Sequence, residues 1–139
     1  MRKFALIVIC AALIGCASSN NATLPQRLYC EDTFSKIWRG SQIAVNELGF
    51  SVINANDAGG TILGRMEADI YGSEMEINVS VTENKGGRTG PANEPIWVQV
   101  KVVDASNANP DEHRLQQMKM MEDQFMDLLR QMAVCGATH

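Results

Sequence analysis

Two sets of side chains in this sequence carry reactive or ligating chemistry: the cysteines Cys10, Cys16, Cys30 and Cys135, and His113 followed by Met118, Met120, Met121 and Met126. Thiols accept lipid, pair as disulfides, or attack as thiolates. Thioethers beside an imidazole suit soft copper(I), provided several ligands converge. Met118 and Met121 fall on the apolar stripe of a helix, where methionine ordinarily fills core, and Met120 alone points clearly away. A copper site on that helix is therefore the second reading of this chain, and no metal ligand set is assigned.

Catalysis has less to work with. The sequence holds no G-x-S-x-G, P-loop, H-E-x-x-H or C-x-x-C motif. Of its two histidines, His139 is the last residue and His113 falls in the first turn of a helix, the position of a solvated surface histidine. Asn54-Ala55-Asn56-Asp57-Ala58-Gly59 resembles a calcium loop, but Arg65 stands where a bidentate Glu belongs. Gly86-Gly87-Arg88-Thr89-Gly90-Pro91 opens no helix and so lacks the amide cluster of a phosphate cradle. No catalytic residue and no cofactor are expected, and the chain reads as a non-enzyme.

Cys16 has the clearest context. Arg2 and Lys3 precede an apolar run from Phe4 to Ile14, too short for a membrane span of about 20 residues, and Gly15 follows. Leu13-Ile14-Gly15-Cys16 resembles the lipobox of bacterial lipoproteins. That resemblance implies cleavage before Cys16 and acylation, palmitate included, of a cysteine that becomes the N-terminus. The alternative is an ordinary signal peptide cut nearby. Ala17 rather than Asp implies, by the same resemblance, sorting to the outer membrane, with the protein facing the periplasm of a bacterial envelope.

Residues 1–15 are then a signal peptide, 16–26 the lipidated end and a tether, and 27–139 one domain. Loss of Arg2 and Lys3 takes the 12 basic residues to 10 against 16 acidic ones. An acidic chain excludes nucleic acid as the main partner, since that is held through clustered Lys and Arg. Its hold on the lipid bilayer must come from the acyl chains on Cys16. Ala17 to Gln26 is small and polar, the composition of a flexible tether.

The elements that place the remaining candidates follow from periodicity. Between Leu28 and Leu48, the residues Cys30, Phe34, Ile37, Trp38, Ala44 and Val45 form one helical stripe, and Gly49 ends it with Phe50 folded back. Asn109-Pro110-Asp111-Glu112 starts a second helix with the stripe Leu115, Met118, Met121, Phe125, Leu128, Leu129 and Met132, stopped by Gly136. Between them the period is two. Asp57 opposite Thr61, Ile70 opposite Met75 and Val81 opposite Ile96 give four strands in a meander with one apolar face. The expected fold class is α+β in two layers: helix, four-stranded antiparallel meander, helix, with both helices on one face of the sheet. This architecture is loosely similar to the small domains of envelope-assembly lipoproteins, such as the C subunit of the β-barrel assembly machinery.

An even number of strands makes the helices antiparallel, bringing Cys30 at the start of the first near Cys135 at the end of the second. In an exported protein such a pair is expected to be a disulfide, with two buried thiols as the alternative. On the outward sheet face the register aligns Ile53, Arg65, Ser80 and Trp97 in one row, flanked by Leu63, by Val103, and by Glu76 opposite Lys101. Exposed Trp and Arg dominate interface energetics, so this row is the expected partner-binding site for another envelope protein. A Trp lying flat on a mixed surface is the alternative. The long connection from Asn84 to Glu94 is the next candidate.

Overall fold

Chain order is β1 (Gln26–Cys30), α1 (Phe34–Glu47), β2 (Ser51–Asn56), β3 (Thr61–Met66), β4 (Met75–Glu83), β5 (Ile96–Asp104), α2 (Glu112–Met132) and β6 (Cys135–Gly136). The computed structural model describes residues 25–67, 74–83, 96–107 and 109–136. Cys16 with its lipobox, the tether as far as residue 24, Ile70 with its expected pairing, the connection from Asn84 to Glu94 and His139 lie outside the described residues. Among the described residues no helix is long and apolar enough to cross a membrane.

The protein is α+β, and among the described residues its sheet has six strands in the order β2-β3-β4-β5-β1-β6 rather than four. The expected meander is its β2 to β5 portion, and the correction is at the far edge. Leu28 and Cys30 do not begin a helix; they alternate with Arg27 and Tyr29 along β1, with Leu28 opposite Val98 and Cys30 opposite Ile96. What divides strand from helix is Thr33, whose side chain accepts from Lys36 N–H as the N-cap of α1. β1 starts at Gln26, the last residue of the expected tether.

The C-terminus differs for a related reason. α2 is capped by Asp111, which accepts from Arg114 N–H at 2.8 Å, so Pro110 precedes the cap instead of opening the helix. The helix ends at Met132, and Gly136 lies in β6. β6 is held to β1 by pairing of Cys30 with Cys135, by Glu31 N–H donating to the Val134 carbonyl at 2.8 Å, and by Val134 N–H donating to Asp32 at 3.2 Å.

One face of the sheet is apolar: Ile62 of β3, Ile77, Val79 and Val81 of β4, and Val98, Val100 and Val102 of β5 are all buried. Ile37, Ala44 and Val45 of α1 and Met118, Phe125, Met126 and Leu129 of α2 complete a single core with them, so both helices cover this face. Gly64 lets α1 come close. A Cβ there would sit 2.8 Å from both Val45 Cγ1 and Ile77 Cγ2. The end of α1 is as expected: Gly49 takes φ 89°, and Phe50 N–H donates back to the Val45 carbonyl.

Candidate functional site

The helix-free face is built from the alternate residues of the same strands, and its register differs from expectation in a way that preserves the faces. Met66 pairs with Met75 and Ser80 with Gln99, so each slip is by an even number of residues. At the β2 hairpin Asn56 pairs with Thr61, and an irregularity between Val52 and Asn54 takes up the difference at Ile53.

The expected row does not exist as a row. Arg65 is opposite Glu76, Ser80 lies between Thr61 and Gln99, and Trp97 lies between Thr82 and Tyr29. Glu76 faces Val103, and it is Asn78 that faces Lys101. Arg65 and Trp97 are consequently separated by roughly 20 Å along β4 at strand rise. Arg65 is also engaged: its Nη2–H donates to Glu76 Oε1 at 2.7 Å, and that hydrogen bond and charge hold the guanidinium above its ordinary range. Ile53, at 49 % exposure, sits at the irregularity rather than in line with the others.

Leu63 and Ser80 meet different neighbours. Together with Asn54, Thr61, Asn78, Gln99 and Lys101 they line a hollow of about 380 Å³ in the middle of the helix-free face, with Pro25 at its β1 end. Two pairing rows cross it. One runs Asn54, Leu63, Asn78, Lys101; the other runs Asn56, Thr61, Ser80, Gln99, Arg27. With the amide oxygen of Gln99 turned toward Arg27, it accepts from Arg27 Nη2–H at 2.9 Å, which fixes that side chain across two strands. Beside the hollow, Trp97 is 39 % exposed and meets Tyr29 edge to face, ring centroids 5.2 Å apart.

The sequence signals Leu63 and Ser80 but not the polar company around them, because the register differs by four residues between β3 and β4 and by two between β4 and β5, which regroups every row. The signal was present in the composition of the outward positions: Asn54, Thr61, Asn78 and Gln99 are all uncharged and polar, at successive strands.

No protein-family model matches the chain, and no curated protein does.

Two further candidates have definite places. Cys30 and Cys135 form a disulfide across 105 residues of sequence, with Cα atoms 4.0 Å apart. They meet as neighbouring strand residues, not as the ends of two helices. On α2, Met118 and Met126 are in the core at 4 % and 3 % exposure, whereas Met120 is 53 % exposed. Those methionines face opposite ways, so the helix does not bring them together around one ion. Among the described residues no three His, Cys, Asp or Glu side chains cluster as metal ligands do.

The most unusual polar group lies in the core. Glu122 is 1 % exposed, and its Oε1 accepts from the backbone N–H of Val102 at 2.9 Å. β1 begins at Gln26 opposite Val100, so β5 runs past the end of its neighbour and, among the described residues, Val102 has no strand partner on that side. The Glu122 carboxylate takes the place of the missing carbonyl. Burial pushes its pKa up, against the Val102 N–H and the charges of Lys101 and Lys119, while Asp123 adds to the rise. Its place on the stripe, between Met118 and Phe125, was the sequence signal for a buried acid.

Proposed function

We propose that this chain is a lipid-anchored, non-catalytic accessory or scaffold protein of the bacterial envelope, held by an acylated Cys16, that binds another envelope component through the helix-free face of its sheet. The observation that carries the reading is the hollow at Leu63, Asn78, Ser80, Gln99 and Lys101, a concave surface that mixes apolar lining with several polar side chains and that neither helix covers. The Cys30–Cys135 disulfide supports the location, because such bonds persist in oxidising compartments. The Leu13-Ile14-Gly15-Cys16 resemblance supports the anchor. An outer-membrane position facing the periplasm follows from Ala17 on the same resemblance.

Two measurements test this reading. Labelled fatty acid should enter the full chain and fail to enter Cys16→Ala; equal labelling removes the anchor. Affinity capture from solubilised membranes should recover a component with the wild type and with Gln124→Glu on the exposed side of α2, and lose it with Asn78→Glu in the hollow. Unchanged capture by Asn78→Glu removes the face.

A further inference from the structure

The side chains of the hollow restrict what it can hold. β3 and β4 have strands on both sides there, as does β5 as far as Val100, so most backbone groups are spent in the ladder and recognition falls mainly to side chains. An extended peptide is recognised mainly by main-chain hydrogen bonds at a sheet edge, and the centre of the hollow, on the inner strands β3 and β4, offers none. Beside the apolar lining of Leu63 and Pro25 it offers three carboxamides, Asn54, Asn78 and Gln99, and two hydroxyls, Thr61 and Ser80, from four different strands. Each of these groups both donates and accepts. Their natural complement is a ligand whose groups also do both, namely a polyhydroxylated one.

Charge adds a second restriction. Lys101 lines the hollow, and among the described residues no acidic side chain lines it with Lys101 and no ion pair engages its ammonium. Of the other cations on the same face, Arg65 is paired with Glu76 and Arg27 donates to the Gln99 amide oxygen. In a chain of formal net charge −4 an unpaired ammonium set in an otherwise neutral hollow favours an anionic group on the ligand. Trp97 supplies a third feature. It lies on β5 two positions from Gln99 and on the same face, about 7 Å away by strand rise, with its ring braced edge-on by Tyr29. The C–H face of a pyranose stacks on such a ring, and that spacing suits the neighbouring sugar of a chain.

We infer that the helix-free face binds an acidic oligosaccharide, one ring stacked on Trp97 and the adjoining carboxylated ring seated over Asn78, Ser80 and Gln99 with its carboxylate on Lys101. The inference rests on the reading of this face as the binding surface and names its ligand class. A volume of about 380 Å³ is at the small end of ligand clefts, of the size for one ring rather than several.

The probes are trigalacturonate, maltotriose and monomeric galacturonate, titrated by calorimetry and by amide NMR shifts against the full chain in mild detergent. Trigalacturonate should bind at least about tenfold tighter than maltotriose, the factor expected of one hydrogen-bonded charge pair. Lys101→Gln should abolish that preference. So should Asn78→Glu, which places a carboxylate directly opposite Lys101 and keeps the sheet folded, since opposite charges on facing strands stabilise it. Trp97→Ala should remove the advantage of the trimer over the monomer and retain the acid preference. Absence of saturable binding, equal affinity for the acidic and neutral trimers, or a preference that survives Lys101→Gln overturns the inference. If the sugars fail while membrane capture still depends on Asn78, the ligand class is wrong and the face stands. If both fail, the face falls too.

Discussion

Replacing Glu122 separates two roles that the wild-type carboxylate combines, a charge in the core and an acceptor for Val102 N–H. Its folded pKa is raised above the unfolded value of about 4.3. The native state therefore holds the Glu122 proton more tightly than the unfolded chain does. The resulting stabilisation is fully present below the unfolded value and is lost as pH rises through the folded one. Each unit of rise costs the ionised native protein about 1.4 kcal/mol. Glu122→Gln keeps the acceptor and removes the charge, so at pH 7.5 it should be more stable than wild type. That advantage should shrink toward pH 4. Glu122→Leu removes the charge as well but leaves the buried Val102 N–H unsatisfied, at about 1–3 kcal/mol, and should fall below Glu122→Gln at every pH. The assay is urea unfolding of the three proteins from pH 4 to 8. Differences between variants at one pH cancel Asp32 and Asp104, whose pKa values move the other way. In each, burial is outweighed by hydrogen bonds: from Lys36, Thr33 and Val134 to Asp32, and from Ser106 and Arg114 to Asp104. Their stabilisation is present above the unfolded carboxylate value and is lost on acidification. A Gln variant less stable than wild type at pH 7.5, or a Gln-minus-wild-type difference flat across pH, would refute the reasoning.

Non-reducing mass mapping should yield a Cys30–Cys135 peptide pair, and replacing both cysteines by Ser should lower stability by up to about 4.7 kcal/mol in the loop-entropy model; freely alkylated thiols in the folded protein contradict the pairing. Gly64→Ala should destabilise by about 1–3 kcal/mol in urea, because its Cβ meets Val45 and Ile77 at 2.8 Å between α1 and the sheet; a change below about 0.5 kcal/mol would mean that α1 stands further off. Arg65→Ala and Trp97→Ala should combine additively within about 0.5 kcal/mol in stability, as sites this far apart do, and a larger coupling in a double-mutant cycle would restore them to one row.

The legible parts of this fold are those whose signal is local. The stop at Gly49 with Phe50 folded back, the period of two in β4 and β5, and the core positions Ile37, Ala44, Val45, Phe125 and Leu129 all follow from spacing within one element. β1 was hidden because Cys30, Phe34 and Ile37 also satisfy a helical spacing, and five residues are too few for alternation to prevail over it. Register was hidden for a different reason. Even-numbered slips leave every apolar side chain on the core face, so patterning decides the face and leaves the pairing open. That is why the outward orientation of Leu63, Arg65, Ser80 and Trp97 survives while their grouping does not. The disulfide was reached from chain parity, yet what brings its halves together is the short β6, invisible in a two-residue stretch.

In the proposed function the helix-free sheet face, not the helical layer, meets the partner. Photo-crosslinking in intact membranes tests it most directly, with a photoreactive residue placed at Asn78 in the hollow or at Gln124 on the exposed side of α2. The account predicts a discrete adduct from position 78, reduced by added trigalacturonate, and none from position 124. An adduct from position 124 with none from position 78 would contradict it.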